Sequence, residues 1–165
     1  MGVLNKLLKD SKLIPQTFEY KLDNDLLTIE DQEEVLTKPR WSFYFAKTNI
    51  PGSNVKALQI KACEDHYYAY LFARFIPGAD IKYCQEHACK NPEWAYYFAL
   101  NVPGADIKYC QEHACKDSKI AYCFARDIPG ADKKYCFKHA FPEDEYGPDG
   151  WKSEYNKFIM NQACQ

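Results

Sequence analysis

No run of this chain is apolar for the roughly 20 consecutive residues that a bilayer-crossing helix requires. Charge of one sign is also lacking. Lys and Arg number 21 against 23 Asp and Glu, giving a formal net charge of -2, and the basic residues are scattered, often beside acids. A general nucleic-acid binder usually carries a basic surplus or stripe, so this balance weighs against nucleic acid as the partner. The chain has no glycine-rich nucleotide loop, no paired-histidine zinc motif and no serine elbow. Its start, MGVLNKLLKD, has no sustained apolar segment or small-residue cleavage pattern of a signal peptide. Gly2 raises myristoylation, but Lys6 stands where that pattern wants Ser or Thr. The expectation is a cytoplasmic protein, in the host cytoplasm if phage-encoded. Its eight cysteines then need an account that assumes no oxidised framework.

What is present is a core-forming composition. Apolar residues make up 47% of the 165, with 13 Tyr and 10 Phe, which excludes a disordered chain and suits one compact domain. The apolar residues are arranged in a repeat. Ile50-Pro51-Gly52, Ile76-Pro77-Gly78, Val102-Pro103-Gly104 and Ile128-Pro129-Gly130 stand 26 residues apart. Ahead of them run WSFYFA (41–46), YAYLFA (68–73), WAYYFA (94–99) and IAYCFA (120–125), the first one residue further from its anchor than the rest. Four anchors at one period indicate a solenoid of small stacked units.

Within a unit the spacing is helical. Ala95, Phe98 and Ala99 fall at i, i+3 and i+4 and share a face. Asp65, Asn91 and Asp117 are equivalent N-caps, and Pro92 takes the first helical position. Pro103 and Gly104 stop the helix, and Asp106, like Asp80 and Asp132, caps a second one. Each unit is therefore two helices of roughly 8 to 10 residues, too short to persist in water without neighbours. Small columns (Ala69, Ala95, Ala121 and Ala73, Ala99, Ala125) allow close approach, and Phe45, Phe72, Phe98 and Phe124 fill the space between layers.

The expected fold class is all-α, a short α-solenoid of two-helix repeats in one domain. Residues 1–38 form an amino-terminal cap, 39–140 the repeats, and 141–165 a turn and capping helix. In the first cap Thr28 and Asp31 make a capping pair for a helix up to Leu36. In the last, Trp151, Tyr155, Phe158 and Ile159 share a sealing face.

Cys84-x-x-His87-x-Cys89 recurs as Cys110-x-x-His113-x-Cys115. These atoms suit zinc, which wants four ligands in a tetrahedron. However, Leu58 replaces the second cysteine column (Cys84, Cys110, Cys136) in the first copy, and Phe141 extends the first (Cys63, Cys89, Cys115). A packing column accepts such replacements, and a ligand column does not. Stacked axes 8–10 Å apart also hold column neighbours beyond disulfide reach. The thiols are read as packing, with metal and redox roles as alternatives; no metal or cofactor is expected. His87, His113 and His139 form another column beside repeated acids, and a trio present in several copies does not look like an active site.

Tyr70, Tyr96 and Tyr122 on the first helices, and Tyr83, Tyr109 and Tyr135 on the second, form two tyrosine columns. They either complete a narrow core or make an interaction surface, with Arg74 and Arg126 adding a periodic positive edge. A base-stacking platform is the alternative use of the same residue types.

The wording (D/N)xxxAYxFAxx(V/I)PGADIxxxQ resembles a helical-hairpin repeat of uncharacterised phage and bacterial proteins, similar in style to HEAT arrays. The resemblance covers residues 39–140, most strongly 65–139, and departs at Ser53-Asn54, Lys133 and Phe137. It implies an architecture and no common catalytic residues. It makes a role as inhibitor or adaptor of a host protein the leading expectation: a non-enzymatic protein–protein interaction module whose partner is another protein, or a second copy of this chain.

Overall fold

The computed structural model describes residues 17–141 and 150–163, all of whose regular structure is helical. Helix α1 is Phe18–Asp23, and a 3-10 turn at Ile29–Asp31 runs into α2, Gln32–Val35. Four two-helix units follow. They are α3 (Pro39–Lys47) with α4 (Val55–Ala62), α5 (His66–Phe75) with α6 (Ile81–Ala88), α7 (Pro92–Asn101) with α8 (Ile107–Ala114), and α9 (Ser118–Asp127) with α10 (Lys133–Ala140). Helix α11, Gly150–Ala163, comes last. Each helix packs on its partner in the unit. The first helices α3, α5, α7 and α9 also pack on one another in order, and each second helix on the first helix of the next unit. The architecture is the expected stack of helical hairpins.

The local chemistry sets the helix limits. Asp65, Asn91 and Asp117 each accept a backbone N–H of the first turn with the side chain, and Asp80, Asp106 and Asp132 do so at α6, α8 and α10. Between the two helices of a unit, proline and glycine occupy the centre of a turn. Ala105 N–H donates to Val102 C=O at 3.2 Å, with Gly104 at φ +82°. Proline then glycine with positive φ is the pairing a type II turn demands. The first unit's extra residue is absorbed at Asn49, which adopts φ +52° before its turn.

Core layers follow the expected columns. Phe45, Phe72, Phe98 and Phe124 are fully buried, as are Ala69, Ala95 and Ala121. Ala73 and Ala125 are buried, whereas Ala99 is half-exposed.

Both ends depart from the repeat in ways that close it. Asp31 accepts from the Thr28 N–H at 2.8 Å and pairs with Lys21. Burial pushes the Asp31 carboxyl up, but Lys21 and Thr28 outweigh that and hold it below its ordinary range. Phe18 packs on Trp41 with ring centroids 5.3 Å apart. At the other end Phe137 meets Tyr155 and Phe158 at 5.6 and 5.0 Å, so α11 seals the last unit. Residues 1–16 of the expected amino-terminal cap, residues 142–149 of the expected turn and the Ile159 side chain lie outside the described residues.

A glutamine ladder that spacing arguments did not single out runs along the second helices. The buried Gln85 amide donates to Asp106 C=O at 3.2 Å, and its oxygen accepts the Asp106 N–H at 2.9 Å. Gln59 makes the same pair of bonds with Asp80, and Gln111 accepts from Asp132 N–H at 2.7 Å. Gln32 starts the ladder by accepting from Asn54 N–H at 2.6 Å, which marks α2 as the remnant second helix of a preceding unit. Each rung ties one unit to the backbone at the cap of the next.

Candidate interaction surfaces

The eight candidate residues separate onto two surfaces. Tyr70, Tyr96, Tyr122, Arg74 and Arg126 belong to the first helices, and Tyr83, Tyr109 and Tyr135 to the second. On the first helices the tyrosines are not equivalent. Tyr70 is buried, stacked on Trp94 at 5.7 Å, and its hydroxyl accepts from Arg74. Tyr96 donates its O–H to Asp127 Oδ2 at 2.8 Å. Arg126 grips the same carboxylate with Nε and Nη2 at 2.7 and 2.8 Å. Tyr122 is exposed. Arg126 holds the Asp127 carboxyl below its ordinary range, while burial and then the Asp127 bond push the Tyr96 hydroxyl up to about 12. Both arginines of the expected positive edge are exposed: Arg126 is neutralised by Asp127, while Arg74 donates to a neutral tyrosine and keeps its charge.

Beside the arginines, the exposed part of this face carries large apolar side chains. Trp94 bridges Tyr67 (4.9 Å) and Tyr97 (5.5 Å), making an aromatic cluster that spans α5 and α7. On the same two helices Phe75, Leu100, Tyr67 and Tyr97 are 36–49% exposed. The helical spacing of Ala95, Phe98 and Ala99 does not single these positions out. What could have revealed them is their residue type, because outward positions 67, 75, 97 and 100 carry rings and a leucine where charge is usual.

The second helices make a row of three equivalent grooves. The middle one, 380 Å³ in volume, lies between α6 and α8, with Lys82 and Glu86 on one side, Tyr109 on the other and Gly104 at the rim. Tyr83 and Tyr135 hold the same place in the neighbouring grooves. Each tyrosine rests on the histidine one turn later, at 4.6, 4.6 and 4.2 Å for Tyr83–His87, Tyr109–His113 and Tyr135–His139. The histidine column thus backs the tyrosines. Burial draws His113 below its ordinary range, helped by nearby Lys116.

The cysteines meet on a diagonal between the two columns. Sγ–Sγ distances are 3.6 Å for Cys63–Cys84, 3.7 Å for Cys89–Cys110 and 3.5 Å for Cys115–Cys136. Cys84 pairs with the preceding unit and Cys89 with the following one. The hydrogen bond from the paired thiol, and then burial, push Cys84, Cys110 and Cys136 far above the ordinary thiol range, so none is an activated nucleophile. Among the described residues no three His, Cys, Asp or Glu side chains converge as a metal site, and no helix is long and apolar enough to cross a membrane.

Comparison of the chain with protein-family models, with curated proteins and with solved structures finds no match.

Proposed function

We propose that this chain is a non-enzymatic protein-interaction module that docks its partner on the exposed face of the first helices. One observation carries this reading. Of the seven large apolar residues that are exposed among the described residues, five (Tyr67, Phe75, Tyr97, Leu100 and Tyr122) lie on α5, α7 and α9. Tyrosines buried to the edge and supported from beneath by Trp94 are rigid, amphipathic anchors of the type that dominates binding energy at protein interfaces. A concentrated apolar face on a stack whose core is otherwise closed supports binding better than it supports stability. The pairing of Arg126 with Asp127 lowers the positive charge of this face, which favours an apolar protein surface as partner over a phosphate backbone. The role that fits the sequence resemblance is that of an inhibitor or adaptor of a host protein.

The test is affinity capture from extract of the source organism, or of its host, with wild type and a Tyr97→Glu, Leu100→Glu variant in parallel. Leu100 and Tyr97 are 42% and 36% exposed, so helical content stays unchanged. Tyr97 gives up its contact with Trp94, so the urea midpoint falls slightly and capture is compared where both proteins are fully folded. The expected result is a specific partner held by wild type and lost by the variant, with affinity reduced at least about 30-fold, or about 2 kcal/mol. Equal capture by both proteins contradicts the reading. Sedimentation over a concentration range separates a foreign partner from a second copy.

A further inference from the structure

We infer that the three thiol contacts are disulfide-forming sites that lock successive units together, with connectivity Cys63–Cys84, Cys89–Cys110 and Cys115–Cys136. Each joins the C-cap of one second helix to the fourth residue of the next second helix. The three distances agree within 0.2 Å, at 3.5–3.7 Å. A bond needs about 2 Å between the sulfurs. Each pair must close by about 1.6 Å, within reach of side-chain rotation and a small shift at the C-cap end.

The repeat supplies a second, independent argument. Thiols occupy both positions of a diagonal or neither. In the diagonal before the first pair the two positions hold Leu36 and Leu58, and the next three hold cysteine at each end. After Cys115–Cys136 the series stops, and Phe141 occupies the next C-cap position. Filler chosen one position at a time would mix leucine and cysteine across a contact. Matched thiols at both ends are what cross-linking requires. Cys123, half-exposed on α9, lies off the diagonal and is left over.

The chemistry needs an oxidant, and a small disulfide such as oxidised glutathione supplies it. The thiolate of the C-cap cysteine attacks one sulfur of the small disulfide and releases one small thiolate, leaving a mixed disulfide. The paired cysteine, as thiolate, attacks the protein sulfur of that mixed disulfide, forms the Sγ–Sγ bond and expels the second small thiolate. The two protein protons end on the two released thiols, and the two electrons reduce the small disulfide. In the closed, reduced stack all six sulfurs are at most 4% exposed, and the thiolate of Cys84, Cys110 and Cys136 is disfavoured. The exchange therefore belongs to the stage when adjacent units have met but not sealed.

The experiment refolds the reduced, urea-unfolded full chain in a mixed oxidised and reduced glutathione buffer, with a reducing control. Cleavage after lysine and glutamate separates Cys84 from Cys89 at Glu86, and Cys110 from Cys115 at Glu112, but the two units give identical YCQE and HACK peptides. Non-reducing mass spectrometry is therefore run on wild type beside Cys84→Ala, Cys89→Ala and Cys110→Ala, and the linked peptide that each variant loses assigns the link. The expected result is a free-thiol titre falling from eight to two, Cys123 and Cys164, the three links named above, and a higher urea midpoint than the control. A Cys84→Ala variant loses the first link and keeps the other two. An unchanged titre overturns the inference. So do links between column equivalents such as Cys63–Cys89, or a cross-linked product less stable than the reduced protein.

Discussion

At the scale of single residues, the stack is held by side chains that act on the neighbouring unit. Gln85 is the clearest. It is buried, and both of its amide bonds go to the backbone of Asp106, at the start of the next unit's second helix. Replacing it with leucine keeps the bulk and leaves that N–H and C=O without their partner. Asp106 is close enough to solvent for water to recover part of the loss, so Gln85→Leu is expected to cost about 1–2 kcal/mol, read from urea unfolding. In the last unit Phe137 stands at the glutamine position and packs on α11 instead. The Tyr96–Asp127 bond gives a second test. With its folded value raised to about 12, Tyr96 contributes stability that is complete below pH 10 and lost as the pH rises from 10 to 12. Asp127→Asn removes the charge that opposes ionisation, so its unfolding midpoint is expected to fall less over that window than wild type's.

The helices and turns are where the sequence was most readable. Asp80, Asp106, Asp132, Pro92 and the Pro-Gly pairs act through the backbone next to them, and such local signals survive without knowledge of the fold. The phenylalanine and alanine columns were legible for the related reason that repetition states one face four times. The diagonal of the cysteines and the glutamine clamps were not. Both depend on how far one unit is displaced against the next, which the 26-residue period leaves open. Likewise, Tyr70, Tyr96 and Tyr122 are equivalent in sequence, yet their neighbours Trp94, Asp127 and Phe137 differ, so their exposure differs. The turns offer a clean test. At Gly104 a Cβ would meet nothing within 4 Å, but φ is +82°. Gly104→Ala is therefore expected to cost about 1–2 kcal/mol from backbone strain alone, with the helices on either side unchanged by circular dichroism.

For the whole molecule, contacts run between consecutive units, as in any quasi-one-dimensional array. Stability then depends on position. A defect in the middle breaks two interfaces, and one at an end breaks one. Phe98 is fully buried in the third unit, between neighbours on both sides. Phe98→Ala is expected to cost about 3–5 kcal/mol and to weaken the entire stack rather than one hairpin, seen as a single unfolding transition at lower urea. The proposed docking face depends on the same coupling, because its aromatic cluster is assembled from α5 and α7 and exists only while those units lie together.

The claim beneath all of this is that no two-helix unit is stable apart from its neighbours. Native-state hydrogen exchange, resolved by residue on the reduced protein, tests it most directly. The expected result is that amides of α5 through α8 are the slowest and share one opening free energy, with protection falling toward α1 and α11. Separate opening energies for each hairpin, or central helices no slower than the terminal ones, would contradict the account.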